Sequence, residues 1–437
     1  MNLLRVAISF YREGKFAEEG ILTLLLFTAS YPYDIGAEQT FIDLEVRYLR
    51  KKFQRVVLVP RKCGGNLLSL PDGVEVETSY ATLFAGSPLF SMLSRVIFSS
   101  SLYQEIVSLP WLLLYPAALR RLLAFLVGAF LTRNWIEKWI LYNQVDPANC
   151  LCYTYWFDQA AYGLGLAKQT YPSLKLVSRV HGYDLYEEYY YHPPYWPRRR
   201  ATLSLLDRLF PDSQAGFHYL NSRYPEFSSI YELALLGVQD PGFQTRVSTD
   251  GIYRIVSCSM LEPVKRVELL LEGIANAARG RPEQRFEWRH FGNGDRRLEL
   301  QNRANEIFPP NAKGFLSGYS TKEDLMRFYE ENPVDVFVNV SATEGTPVAV
   351  MEAISCGIPV IATAVGGNAE IVSEKNGLLI DADPSADQIG NTLLAFLDDH
   401  SLALSKRQGS RKVWQESYHA DVNFRAFAER LKAISES

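Results

Sequence analysis

Cysteine is scarce in this chain: five in 437 residues, at Cys63, Cys150, Cys152, Cys258 and Cys356, odd in number and scattered. No spacing among them fits a zinc site, and Cys150 and Cys152 would share one face of a strand, too little for a metal cage. Reduced core cysteines in a cytoplasmic protein are therefore expected. Charge of one sign is also missing. The 45 Lys and Arg and 49 Asp and Glu leave a net charge of -4, which argues against a general nucleic-acid coat. Long apolar runs are absent as well. Ile21–Phe27 is short and follows mixed charges, so it reads as a buried first strand rather than the core of a secretion signal. Ile106–Leu131 is interrupted by Pro110, Pro116, Arg120 and Arg121, and no uncharged run in it reaches the roughly 18 residues of a spanning helix. No short internal repeat is visible.

What is present is an ordinary globular balance, 47% hydrophobic and 22% charged, over a length that suggests two or three domains. Short apolar runs alternate with helical patterns. In the C-terminal half the strand candidates are Tyr253–Ser259, Phe286–Gly292, Gly314–Gly318, Val334–Val340, Pro359–Thr363 and Gly377–Ile380, with helical stretches such as Lys265–Ala278 between them. The N-terminal half repeats the alternation, with strands at Ile21–Ser30, Arg55–Pro60, Cys150–Trp156, Lys175–His181, Arg208–Pro211 and Ala234–Val238 and a helix over Ala37–Lys51. Such alternation predicts parallel sheets covered on both faces. The polar stretch Gln239–Gly251 sets the expected boundary between domains 1–245 and 246–437. The expected fold class is α/β, two Rossmann-like doubly wound domains facing across a cleft, with ligands beyond the carboxyl ends of the strands.

Leu83–Leu141 breaks the alternation. Its five positive charges outnumber its two negative ones, and Trp111, Leu112, Leu113, Leu114, Phe125 and Phe130 lie among them. Two readings stand: an apolar, basic helical insertion on an anionic membrane surface, or a set of buried core helices.

The chemistry concentrates in Phe337–Val372. A strand ends near Ser341, Thr346 is a suitable N-cap, Pro347 suits the first helical position, and Gly357 ends the helix. The loop Glu344, Gly345, Thr346 thus sits at a helix N-terminus, where free N–H groups and the helix dipole favour a diphosphate. Gly345 allows close backbone approach. Glu344 can accept hydrogen bonds from hydroxyls. Glu352 lies inside an otherwise apolar helical face, where a carboxylate needs partners. Either a ribose diol supplies them, or a core arginine or a neighbouring loop does.

This segment resembles the retaining, nucleotide-sugar-dependent glycosyltransferases of family 4, which have the GT-B fold. Their two glutamates, with seven residues between them, are matched by Glu344 and Glu352, and their frame by Gly345, Pro347, Ala353, Gly357, Pro359, Val360, Ala362, Thr363, Gly366 and Gly367. The resemblance extends over most of residues 21–430. It implies that Glu344 meets the donor sugar and Glu352 the ribose, with Gly345, Thr346 and Pro347 beside the diphosphate and sugar. Ile255–Arg266 is similar to the first strand and loop of the family's donor domain. Lys265 matches the family's lysine on the diphosphate, but Ser259 and Met260 stand where Gly-Arg is usual, and Arg266 is the candidate to replace that lost charge. An exposed pair of helix-start cations is the other reading. Arg179–Asp184 resembles the family's strand-end histidine segment, which makes His181 a catalytic candidate beside Glu344. Gly36 looks like part of the family's glycine loop after the first strand, although a single Ala37 replaces the second glycine. Gly292 resembles the family's glycine near the base. The final helices, near 411–437, resemble those that cross back to the N-terminal domain.

The implied reaction moves a sugar from a nucleoside diphosphate to a hydroxyl with retention. The implied partners are a nucleotide sugar and a saccharide or lipid-linked glycan acceptor of bacterial surface polysaccharide synthesis, with no nucleic acid. The location is cytoplasmic, peripheral on the inner face of the membrane if the insertion lies there. No Asp-x-Asp motif stands in a suitable place, so no essential metal is expected, and no cofactor beyond the donor. After His181, Tyr183, Tyr186, Tyr189, Tyr190, Tyr191, Tyr195 and Trp196, with Arg198–Arg200, predict an aromatic and basic patch for a saccharide or a membrane interface, or simple packing. Two other functions share these features: a nucleotide-sugar epimerase of the same fold, and a non-catalytic binding protein with a decayed site.

Overall fold

Twelve short strands carry the chain into two parallel sheets among the described residues. The computed structural model describes residues 20–36, 38–86 and 89–437. The strands are β1 (Thr23–Thr28), β2 (Arg55–Pro60), β3 (Val74–Val76), β4 (Cys150–Thr154), β5 (Lys175–Val180), β6 (Arg208–Pro211), β7 (Ile252–Cys258), β8 (Arg285–Phe291), β9 (Ala312–Leu316), β10 (Val336–Asn339), β11 (Val360–Thr363) and β12 (Gly377–Ile380). The first sheet runs β3-β2-β1-β4-β5-β6 and the second β12-β11-β10-β7-β8-β9. Every ladder is parallel. Central strands such as Thr23–Thr28 and Val360–Thr363 are buried along their whole length. That is why they read as continuous apolar runs rather than alternating ones.

The chain divides into two compact units. One ends at Ala234 and is completed by Phe424–Ser437; the other is Leu235–Asn423. The expected α/β class of two Rossmann-like units is what the chain forms. Each sheet reverses its strand order once, between β1 and β4 in the first and between β7 and β10 in the second. Those reversals are where open α/β sheets place ligands.

The helices used below are α1 (Gln39–Lys52), α2 (Leu89–Ile97), α3 (Ser100–Ser108), α4 (Pro116–Asn143), α5 (Val267–Gly280), α6 (Val348–Ser355), α7 (Gly366–Ile371) and α8 (Ala420–Ser435). Ala37, expected to open the first helix, lies outside the described residues, and α1 begins at Gln39 with Ile42, Val46 and Leu49 buried along one stripe. In the second unit, α5 buries Val267, Leu270, Leu271 and Ile274 against the sheet in the same way.

Three expectations are corrected. Ala234–Val238 is not a strand: its backbone is held at single points, with Ala234 N–H donating to the Pro211 carbonyl and Val238 N–H to that of Tyr418. Val74–Val76, a three-residue edge strand, carries too little pattern to be read in advance. Cys63 is exposed, whereas Cys150, Cys152 and Cys356 are buried as expected.

The segment 83–141 forms buried helices, one of its two readings. Leu112, Leu122, Leu126, Leu131 and their neighbours form a core of their own, while Leu113 and Leu114 stay exposed. Among the described residues no helix is long and apolar enough to cross a membrane. The patch after His181 is largely internal. Tyr195, Trp196, Arg198 and Arg199 are buried, and the two arginines pair with Glu105 and Glu187. Tyr183 remains open.

Candidate functional site

At the reversal of the second sheet, the loops after β7 and β10 meet. Ala342 N–H donates to the Val264 carbonyl at 2.8 Å, joining the two loops through their backbones. One loop carries Lys265 in a turn of 3-10 helix, Pro263–Lys265, and the other carries Glu344. Lys265 Nζ lies 2.8 Å from Glu344 Oε1. The same oxygen accepts from Ser341 Oγ at 2.6 Å and from Asn339 Nδ2 at 3.1 Å. Three donors converge on one carboxylate oxygen. Asn339 and Ser341 were not singled out from the sequence. A polar residue closing a buried strand was the available signal, as Asn339 ends β10.

The glycine pair after β11 sets the height of this loop. A Cβ at Gly366 would lie 1.9 Å from the Glu344 carbonyl oxygen, and one at Gly367 1.9 Å from that of Gly345. Only glycines let α7 pack this closely over Glu344 and Gly345. The helix start falls one residue later than expected. Pro347 is the N-cap with extended ψ, and α6 begins at Val348. Proline fixes φ but not ψ, so the extended ψ at Pro347 keeps it outside the helix and carries Thr346 into the loop. Gly357, at φ +73°, ends the helix as expected.

Glu352 projects from the buried face of α6 and is 5% exposed. Its Oε1 has no hydrogen-bond partner. Burial pushes its carboxyl up to about 7, against the opposing pull of Lys322. No ion pair to a core arginine forms among the described residues. The Tyr329 hydroxyl is likewise buried without a partner, and the Glu352 charge adds to the rise that burial gives it. Unmade polar contacts of this kind are rare in a folded interior and mark a place prepared for something else.

Arg266 is engaged within the protein rather than left free beside Met260. It adopts a left-handed backbone at φ 49°. Its guanidinium donates to the carbonyls of Val340, Ser341 and Ala382 and pairs with Asp383 at 3.0 Å. It is a tie holding the ends of β10 and β12, because four of its donor contacts are already made inside the protein. Met260 is exposed. Lys265 is thus the cation that the loop after β7 presents next to Glu344. Gly292, at φ +137°, is required where it stands: a Cβ would lie 1.8 Å from the Ser259 carbonyl oxygen. Its place beside the β7 loop is therefore a packing requirement.

In the first unit, His181 follows β5. Its Nδ1 is 2.8 Å from Asp212 Oδ2, and its Nε2 is 3.1 Å from the Tyr155 carbonyl oxygen. Both partners can accept, so each ring nitrogen is placed to donate when it carries a proton. Burial pulls the imidazole down, but the Asp212 carboxylate and its hydrogen bond push it above its ordinary value. The His181 N–H is taken by Asp184 Oδ1 at 2.6 Å. Burial raises the Asp184 carboxyl to about 6, opposed by the His181 charge.

The loop after β1 closes on itself. Glu38 accepts from the N–H groups of Ala29, Ser30 and Tyr31 and from Ser30 Oγ, and Trp156 Nε1 also donates to it. The carboxylate fills the nest of backbone donors that an anion could otherwise use. Gly36, at φ +89°, supplies the left-handed turn that brings Glu38 round. Among the described residues, no cluster of three His, Cys, Asp or Glu side chains is placed to hold a metal ion.

Residues 244–413 match the family model described as glycosyl transferases group 1. Over 150 residues the chain is 29% identical to the UDP-N-acetylglucosamine–peptide N-acetylglucosaminyltransferase GtfA subunit of Streptococcus parasanguinis, covering 33% of this chain and 28% of that one. Over 148 residues it is 29% identical to the O-antigen biosynthesis glycosyltransferase WbnH of Escherichia coli, covering 34% of this chain and 38% of that one. The chain thus spans well under two thirds of the length of these relatives. In fold it is similar to the Anabaena protein Alr3699/HepE, solved in complex with UDP and glucose, with a TM-score of 0.60 at 13% identity over 94% of this chain and 100% of that one.

Proposed function

With residues 244–413 a glycosyl transferases group 1 domain, we propose that this protein is a retaining glycosyltransferase that moves a sugar from a nucleoside diphosphate to a hydroxyl of a glycan or lipid-linked saccharide in bacterial surface polysaccharide synthesis. The observation that carries the reading is the buried Glu352 Oε1 with no partner, on the helix that follows the Lys265–Glu344 pair. A ribose diol offers two hydroxyl donors to such an oxygen. Relatives named for O-antigen synthesis support the acceptor class.

In the proposed reaction, the bond from the anomeric carbon to the diphosphate oxygen breaks and the acceptor oxygen bonds to that carbon on the same face. The acceptor proton passes to the departing diphosphate. Lys265 meets the charge growing on that leaving group. Gly345, Thr346 and Pro347 line the sugar and diphosphate, and Glu344, fixed by three donors, orients the sugar hydroxyls. Glu344 is not the nucleophile of a double displacement, a role that leaves a carboxylate free on its reacting side. His181, with both ring nitrogens engaged by Asp212 and the Tyr155 carbonyl, is the catalytic candidate of the first unit. The donor is a substrate, and neither a cofactor nor a metal has a part in this scheme.

The test is a donor screen with the purified protein, wild type against Lys265→Ala and Glu344→Ala. Turnover is expected to fall by about 100-fold or more in each, the size seen when a charge-stabilising donor is removed. Turnover at the wild-type rate in both variants would sink the site assignment. Epimerised or freed sugar nucleotide without acceptor would identify an epimerase. Calorimetry showing no nucleoside diphosphate binding would identify a decayed site. An inverted anomeric product would remove the retaining mechanism and leave the transferase.

A further inference from the structure

Large apolar side chains are exposed at eighteen places among the described residues, and eight of them fall between Leu93 and Tyr115. Scattered exposed apolar residues are normal, whereas a concentration marks an interaction surface. On α2, Met92 and Val96 face inward while Leu93 and Ile97, one turn apart, face out with Phe98 just beyond. On α3, Leu102 is buried while Tyr103 and Val107 are exposed, again four residues apart. The 3-10 turn Pro110–Leu114 buries Leu112 and exposes Leu113 and Leu114. Each element therefore exposes large apolar side chains, beside Ser94, Arg95, Gln104 and Ser108, where a water-facing surface would be wholly polar. Phe98 is 83% exposed and Leu114 78%.

The charges point one way. Between residues 92 and 121 the only acid is Glu105, and it is turned inward to Tyr195 and Arg198. Arg95 and Arg120 are exposed. The surface then continues into the loop after His181. Trp111 packs edge-on against Tyr115 and Tyr195. Arg121 lies 4.0 Å over the ring of Tyr191 and donates to the Tyr195 carbonyl at 2.8 Å. Tyr191 and Tyr183 join through their hydroxyls at 3.1 Å. Leucine and phenylalanine outermost, arginine among them and Tyr and Trp at the margin is the order of a helical surface lying in a bilayer interface.

We propose that α2, α3 and the Pro110–Leu114 turn form a docking face for an anionic lipid surface, set beside the aromatic loop after His181 so that a saccharide on a lipid carrier is met at Tyr183 and Tyr191. The face stands on exposure and charge alone. Only the identity of the carried saccharide rests on the transferase reading above.

The experiment is co-sedimentation of the full chain with vesicles of phosphatidylcholine and phosphatidylglycerol, against phosphatidylcholine alone. Wild type is expected to partition to the anionic vesicles and to be released by salt. Phe98→Ser with Leu114→Ser should lower that partition by about tenfold or more. Arg95→Glu with Arg120→Glu should do so for the anionic vesicles specifically. Leu298→Ser, at an exposed position of the other unit, is the control and should bind like wild type. Circular dichroism establishes that each variant is folded, and transfer to a soluble acceptor, measured alongside, reports on the transferase reading separately. The proposal is overturned if wild type ignores anionic vesicles or if the folded apolar variants bind like wild type. It is also overturned if sedimentation velocity shows a wild-type dimer that these substitutions split, which would make the face a contact between copies.

Discussion

Glu352 is the residue at which folding and ligand binding are in conflict. Its carboxyl is buried and lacks a partner at Oε1, and burial raises it from 4.5 to about 7. A raised acid means that the folded chain binds more protons than the unfolded one between those values. Stability therefore falls as pH rises from about 4.5 to 7 and levels off above, the two and a half units corresponding to ~3 kcal/mol at most. Glu352→Gln keeps the shape and removes the charge. Urea denaturation at pH 5 and pH 8 should show this fall in the wild type and its loss in the variant, which should be the more stable of the two at pH 8. A wild type equally stable at both values would mean that Oε1 is solvated or paired. The substitution should also weaken donor binding, since the amide cannot match an ionised acceptor for the diol. A residue that costs stability and improves binding is what a functional site is expected to contain.

At the scale of elements, the glycines after β11 decide where the catalytic loop stands. Gly367→Ala would place a Cβ 1.9 Å from the Gly345 carbonyl oxygen and 2.8 Å from Pro347 Cδ. Neither backbone nor proline ring yields cheaply, so α7 and the Glu344 loop must separate. A loss of ~1–3 kcal/mol in unfolding free energy is expected from this overpacking. Donor affinity should fall further than stability accounts for, because Glu344 sits on the displaced loop and its pairing with Lys265 moves with it. Calorimetric titration of a nucleoside diphosphate at a temperature where the variant is fully folded checks this. Wild-type affinity there would show that the loop's height is unimportant.

Legibility from sequence also divides at this scale. The frame Glu344, Gly345, Pro347, Glu352 was readable because a helix start, a proline and a terminating glycine are local signals. The site's other residues were less so. Asn339 and Ser341 hold Glu344 from a strand end nearby in space as well as in sequence, but nothing in their types announces a carboxylate partner. Arg266 was read as a spare cation because it follows Lys265. Its left-handed backbone turns it to the carbonyls of Val340, Ser341 and Ala382 instead. Gly36 was read as part of the family's glycine loop after the first strand, and the structure adds that Glu38 fills the nest that loop makes.

Over the whole molecule, the last helix belongs to the unit that the chain left at Ala234. Phe427 on α8 packs edge-on against Tyr153 and Phe210, at 5.6 and 5.0 Å, and lies under the Arg179 guanidinium at 4.0 Å. Arg179 and Glu45, both fully buried, form an ion pair at 2.9 Å in the same neighbourhood. Phe427→Ala should destabilise this unit by ~3–5 kcal/mol, the size of a large aromatic deletion. Limited proteolysis should then cut first within residues 20–234, while nucleotide binding by residues 235–423 persists. Equal protease resistance in variant and wild type would show that α8 is dispensable to the first unit.

The sequence by itself determined the α/β class, the parallel sheets and the two glutamates around a helix start, because continuous apolar strands, helical stripes and Pro-Gly punctuation are properties of neighbouring residues. Only the tertiary structure decided which oxygen of the site lacks a partner, which cation faces Glu344, and which leucines of residues 92–121 remain outside. Each of these depends on what arrives from elsewhere in the chain. A carboxylate is unpaired, and a leucine exposed, only with respect to groups far away in sequence, and packing alone decides whether those groups come close.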